Sequence, residues 1–394
     1  MMSNKATPGL EEVQEYEEYF DDQPTGIQRE FTELLENAEP RDAEDKKPWD
    51  PNKIRIQTKQ FSLKQVIDEI GDGTIDLAPD FQRAYVWSKR QQSRLIESIL
   101  LGIPLPAFYF NAEPDGRMQV VDGVQRLSTI NTFASGELTP SDVEYLEDLK
   151  QKRFAALAPI WRRRFNQTQI VVHVIDPQTP VDVKFDIFKR INTGGSPLTA
   201  QEIRHCMSKA RSRDLLKRLA ALDVFHEATR GALKGDIRMV DRELVLRFIA
   251  FYTLKDFKQY EHYKTLDDFL MAVTSQIDSP VEVPDSKLKE IELAFARAME
   301  NSIKVFGSHA FRKWPLGSDR HSPLNRALFE SWSVALAEVD SGDLERRRES
   351  IAKAARKAMT DDPFYIISTS VATGYVKRVE KRFAVAREVV RGSP

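Results

Sequence analysis

Residues 118–133 read MQVVDGVQRLSTINTF. A short β-branched run, Val120-Val121, ends in Asp122-Gly123, and an amphipathic segment then opens with Val124, Gln125, Arg126 and Leu127. The pattern is that of a strand feeding through an acid and a glycine into a helix. Such a turn presents backbone N–H groups and the positive end of a helix dipole to an anion. Arg126 sets a forked cation, suited to phosphate, at the same place.

Working outward, residues 54–60 (IRIQTKQ) alternate like a half-buried strand. Ser62 with Gln65 makes a capping box that predicts a helix to about Ile70, before Gly71. Ser88 with Gln91 makes a second box, whose helix carries Leu95, Ile96, Ile99 and Leu100 on one face and stops at Gly102. Ala107 to Asn111 reads as a strand, Glu113-Pro114-Asp115-Gly116 as a turn and Met118 to Val121 as the next strand. Gln169 to Ile175 (QIVVHVI) is one more. From 181 onward apolar residues recur at spacings of three and four, predicting helices over 181–191, 199–210, 212–222, 240–256, 265–276, 286–306, 324–337, 343–359 and 371–391. The expected fold class is α+β, a mixed α/β domain over residues 51–180 followed by an all-helical domain over 181–394.

At 394 residues the chain is long enough for two or three packed units. A hydrophobic content of 41% with 30% charged side chains is that of a globular protein. No apolar run approaches the ~20 residues of a bilayer span, and Met1 to Glu12 holds no apolar stretch of the signal-peptide kind. Cys206 is the single cysteine, which excludes an internal disulfide and a multi-cysteine zinc site. These features give the cytoplasm as the expected compartment. The net charge of −2 hides an asymmetry, because residues 1–50 hold 15 acidic and 5 basic side chains. That stretch reads as an acidic, extended or disordered arm with one helix-like segment over Ile27 to Leu35. The basic remainder suits phosphate-bearing partners, although a solvated surface accounts for such charge equally well. The runs Arg162-Arg163-Arg164 and Arg346-Arg347-Arg348 are candidates for nucleic-acid contact on the same terms.

Three polar islands interrupt otherwise apolar structure. The first is Pro79 to Trp87 (PDFQRAYVW), with Gln82 and Arg83 side by side among aromatics. The second is Asp122 to Arg126. The third, FKRINTGGSPLT over residues 188–199, ends one helix and starts another. Its Asn192-Thr193-Gly194-Gly195 serves either as a helix C-terminal stop or as a phosphate loop. Thr199 with Glu202 completes a capping box for the helix that follows.

Together the islands resemble the N-terminal domain of GmrS/GmrD-type, modification-dependent restriction systems, itself similar to the ParB/sulfiredoxin nucleotide-binding fold. The likeness rests on a loop similar to P-x-F-Q-R-x-Y-x-W at Pro79–Trp87, a helix ending near Gly102-Ile103-Pro104-Leu105-Pro106, a D-G-Q-Q-R-like motif at Asp122–Arg126, and R-x-N-T-G-G-x-x-L-T-x-x-E-I-R at Arg190–Arg204. Order and spacing agree across roughly residues 54–260. One position departs: Val124 stands where the motif has glutamine, which bears on hydrolysis more than on binding. The resemblance implies a ParB/sulfiredoxin-like domain that binds a nucleoside triphosphate with Mg2+, and in some relatives hydrolyses it. Gln82, Arg83, Asp122, Gly123, Gln125, Arg126, Asn192 and Thr193 are the nucleotide-binding candidates. Asp122, Gln125 and Arg126 are the catalytic candidates of a possible NTPase. The role implied is a regulator in DNA-directed anti-phage defence, with DNA, a partner nuclease or another defence protein as partners, no membrane, and self-association left open.

Full-length relatives carry an HNH-type nuclease after this domain. Here His309 and His321, with Asn325, lie in a stretch that reads as a loop between helices, so no nuclease and no protein-held metal site is expected. His173 sits in an apolar strand as a core or edge residue, and His205-Cys206 lacks a second ligand pair at metal spacing. Two rival readings remain: a DNA-binding adaptor with a relict nucleotide pocket, and a metal-dependent nuclease.

Overall fold

A computed structural model describes residues 17–20, 23–29, 54–77, 87–191, 198–236 and 238–392. Two of the three islands, at 78–86 and 192–197, lie largely outside these residues, and with them Gln82, Arg83, Asn192 and Thr193. The chain divides into two compact units, Lys47–Met207 and a second made of Met1–Lys46 with Ser208–Pro394.

The Lys47–Met207 unit is built on a five-stranded mixed sheet in the order β3-β7-β5-β6-β4. Its strands are β3 (Ile56–Ser62), β4 (Ile75–Asp76), β5 (Phe108–Ala112), β6 (Met118–Asp122) and β7 (Gln169–Ile175). β3 runs antiparallel to β7 and β5 to β6, whereas β5 is parallel to β7 and β4 to β6. Alternation decides which side chains enter the core. Phe108, Phe110, Val120, Ile170, Val172 and Val174 are buried with the helices Leu63–Gly71, Lys89–Leu101, Val124–Ala134 and Pro159–Gln167.

The helix boundaries follow from their caps. Ser62 accepts the Gln65 N–H, but the Gln65 side chain turns to Glu69, so only half of that expected box forms. Ser88 and Gln91 form the complete box, and Gly102 closes the same helix in the left-handed conformation (φ 81°). Thr199 and Glu202 form the third, with N···O distances of 3.1 and 2.6 Å. Each such cap contributes about 1 kcal/mol. Sequence periodicity missed β4, whose two residues are too few for alternation to show. The helices Val181–Ile191 and Ala200–Met207, expected in the helical domain, belong to this unit with the sheet.

The second unit is helix-rich. Its longest members are Val240–Thr253, Leu266–Ile277, Asp285–Phe306, Arg326–Ala337, Ser341–Asp361 and Val376–Arg391, in close agreement with the apolar periodicity. Its core centres on Leu246, Phe248, Phe295, Phe329, Trp332 and Phe383, all essentially inaccessible to solvent. The expected disordered arm is corrected in part. β1 (Glu17–Phe20) and β2 (Gln23–Gln28) form an antiparallel hairpin within this unit. Ile27 is 1% exposed, and Ile27-Gln28 is strand rather than the start of a helix. Gln28 N donates to Leu324 O at 2.7 Å and Leu324 N donates to Gly26 O at 2.9 Å. Arg326 grips both oxygens of Glu18 at 2.8 and 3.1 Å. One buried isoleucine and a forked ion pair thus outweigh the solubility of an acidic segment. Among the described residues no helix is long and apolar enough to cross a membrane.

Candidate functional site

β6 ends at Asp122, and Gly123 (φ 97°, ψ 11°) caps the Val124–Ala134 helix with no side-chain hydrogen bond. A glycine is required there twice over. The positive φ disfavours a side chain, and a Cβ would stand 2.3 Å from the Phe108 ring. The helix N-terminus is thus capped by the backbone of Gly123 rather than by a side chain, and a helix N-terminus is the end that receives anions.

Arg126 folds back over the turn. Its Nη2 donates to Asp122 Oδ2 at 2.8 Å and to Ala107 O at 3.2 Å, Nη1 donates to Pro106 O, and the guanidinium lies 4.2 Å above the centre of the Phe108 ring. These contacts occupy three of its five N–H donors. Burial pushes the Asp122 carboxyl above its usual range against the pull of Arg126, and burial lowers Arg126 against the pull of Asp122. Each partner is therefore less stable in its charged form than it would be in water.

Gln125 extends the site toward the first island. Its Oε1 accepts the Trp87 backbone N–H at 3.3 Å, fixing the chain where residues 78–86 end. At the other end of that stretch Asp76 of β4 lies beside Gln119 of β6 in parallel register. Both flanks of the first island are thus attached to the strand and helix that form the second. The helices on either side of the third island pack on the neighbouring strands β5 and β6. Lys184, in the helix before it, is buried, and its ammonium donates to Asn111 Oδ1 at 3.0 Å, opposite Gln119 in the β5–β6 ladder. The Ala200–Met207 helix after it packs on β6.

Val124, the departure from the motif, is 4% exposed and belongs to the core between sheet and helices. A side chain at this position faces apolar neighbours, so hydrogen-bonding work falls to Gln125. Of the basic run, Arg164 is committed to the end of a helix, where its Nη2 donates to Leu101 O at 2.9 Å beside Gly102. Arg162 is half-buried and Arg163 is exposed. In the helical unit Arg346 and Arg348 pair with Asp343 and Glu345 on their own helix.

His309 and His321 stack on each other at 4.7 Å and 15°, and His309 stacks on Trp314 at 4.3 Å and 4°. Ring-on-ring packing turns their nitrogens away from a shared ligand point. Among the described residues no group of three or more His, Cys, Asp or Glu is placed to hold a metal ion.

Sequence reasoning passed over Tyr109, Asn111, Gln119 and Lys184. They alternate with core residues on the strands or lie one turn into a helix, and only strand register joins them to Asp122.

Residues 63–208 match the family model described as GmrSD restriction endonuclease, N-terminal domain. No curated protein matches the chain. The matched stretch runs from the first helix of the sheet unit to its last and takes in all three islands.

Proposed function

Taking the family match over residues 63–208 as premise, we propose that this chain is a regulatory component of a restriction-type, DNA-directed defence system, and that its sheet unit binds a nucleoside triphosphate at the Asp122–Gly123 turn. The observation that supports the reading is that the flanks of the first and third islands attach to the elements around the Asp122–Gly123 turn: Trp87 bonds Gln125 of the helix after it, Asp76 pairs with Gln119 of the strand before it, and Lys184 bonds Asn111 of the neighbouring strand.

In this reading the N–H groups after Gly123 and the remaining donors of Arg126 hold phosphate oxygens. Gln82 and Arg83 approach from the first island, Asn192 and Thr193 from the third. Gln125 holds the Trp87 amide and orients a water or a phosphate oxygen. One carboxylate, Asp122, suits Mg2+, which is held by one or two protein carboxylates together with phosphate oxygens. When bound, the ion supplies charge neutralisation at the phosphates. DNA and a partner nuclease are the macromolecular partners proposed.

Calorimetric titration of the full chain with nucleoside triphosphates and Mg2+ tests the reading. Saturable binding is expected. Arg126→Ala should weaken it by about 1.5–3 kcal/mol, the worth of a charge-assisted contact, with circular dichroism verifying the fold. Absence of saturable binding in the wild type overturns it. The buried Val124, standing where the motif has glutamine, favours one second reading, a DNA-binding adaptor whose pocket is relict. Salt-dependent DNA binding without nucleotide binding would select that one.

A further inference from the structure

The sheet has a second face, and part of it is open. Along β7 the residues that avoid the core are Val171, His173 and Ile175, and along β5 they are Tyr109 and Asn111. The Val181–Ile191 helix reaches this face through Lys184, and Asn111 and Ile175 are buried. The rest of the face carries Ile56, Thr58, Gln60 and Val171, all exposed, around two half-exposed rings, Tyr109 and His173.

These rings lie in one cross-strand row. Thr58 pairs with His173, His173 with Tyr109, and Tyr109 with Asp122. The ring centroids of Tyr109 and His173 are 4.9 Å apart at 39°. Thr58 Oγ1 is 3.0 Å from His173 Nδ1 and holds the imidazole in place. A β-bulge between Tyr109 and Phe110 brings Asp122 into this row, where regular pairing would have placed Val121. The row leads from an aromatic floor straight to the strand end that begins the phosphate turn. Two strand spacings, about 10 Å, separate His173 from β6, a span that a base, its ribose and the first phosphate fill.

We propose that Tyr109 and His173 form the seat of the nucleobase, with the ribose crossing β5 and the phosphates lying at Asp122–Gly123. The assignment rests on the nucleotide reading above and adds to it where the base lies. A single base fits better than a single-stranded nucleic acid. Among the described residues this face holds one aromatic pair, and the exposed residues around it, Ile56, Thr58, Gln60 and Val171, carry no charge, whereas a strand needs cations along its backbone and successive stacking surfaces. Stacking is tolerant of base identity, so discrimination among the four bases is expected to be weak.

The test compares magnesium complexes of ATP, GTP, CTP and UTP with inorganic tripolyphosphate as titrants of the full chain. In His173→Ala the nucleotide Kd should rise about tenfold for all four, the tripolyphosphate Kd should not change, and His173→Phe should restore nucleotide affinity by restoring a ring. Thr58→Val gives an intermediate rise. Equal nucleotide affinity in wild type and His173→Ala overturns the base seat while leaving the phosphate site standing. Parallel loss of nucleotide and tripolyphosphate binding, or failure of His173→Phe to rescue, overturns it in favour of a structural role. Absence of binding by any titrant to the wild type removes both the seat and the reading beneath it.

Discussion

Each unit of the molecule holds an arginine–carboxylate cluster, and the two clusters are built differently. In the helical unit Glu330 is wholly buried. Arg382 donates to its Oε1 through Nε at 2.8 Å, and Arg247 donates to its Oε2 at 3.1 Å. Arg382 is equally buried and donates further to Thr373 O at 2.6 Å. In the sheet unit Asp122 and Arg126 meet at 2.8 Å with 29% and 12% of their side chains exposed, at a helix end without a side-chain cap. The first cluster is closed on every side, so its charges serve packing and register. The second is partly exposed to solvent, so its charges stay within reach of a ligand in solution. Both are close ion pairs by distance, and their surroundings set the closed one apart from the half-open one.

Breaking the closed cluster should have the largest effect. Glu330→Ala leaves the buried Arg382 without a carboxylate and Arg247 with Glu243 alone, and should cost about 3–5 kcal/mol in urea unfolding. A cost under 1 kcal/mol would remove the contrast. A second test uses a half-buried carboxyl of the helical unit. Burial, with Asp236 nearby, raises Asp241 to about 6. A carboxyl whose folded value lies above its unfolded value near 3.9 stabilises fully below about pH 3.9 and loses that contribution as pH rises through 6. Asp241→Asn should therefore gain about 2–3 kcal/mol relative to wild type at pH 7.5 and almost nothing at pH 4, as followed by thermal unfolding at both pH values. The smallest stability effect is expected at the half-open pair. Asp122→Asn leaves Arg126 its two backbone carbonyls and should cost about 1 kcal/mol, while changing the nucleotide Kd far more than Glu330→Ala does. If the two substitutions affect stability alike and neither moves nucleotide affinity, the distinction between the clusters is lost.

Much of the fold was legible in sequence because its signals are local. β7 falls on the predicted 169–175, the Ser88–Gln91 box and Gly102 bound their helix, and the helices after 181 follow their apolar spacing. The hairpin at 17–28 was not legible, because its acidic composition speaks for solvent while its anchors, Leu324 and Arg326, lie some three hundred residues away. Glu97 was equally hidden. On a helical wheel it is polar, yet it is buried, and its carboxylate accepts the backbone N–H groups of Glu144, Tyr145 and Leu146 at 2.6–2.9 Å. At the site, strand-to-helix chemistry exposed Asp122–Arg126. No periodicity could have shown that a bulge sets Tyr109 and His173 in line with them, since register belongs to pairs of strands and not to one.

The bond from Trp87 N–H to Gln125 has a mechanical corollary. Trp87 directly precedes Ser88, which caps the Lys89–Leu101 helix. Thirteen residues of helix make a stiff lever about 20 Å long, and at its far tip Arg164 clasps Leu101. One continuous helix therefore spans the distance between an amide held beside the turn and the arginine run that begins at Arg162.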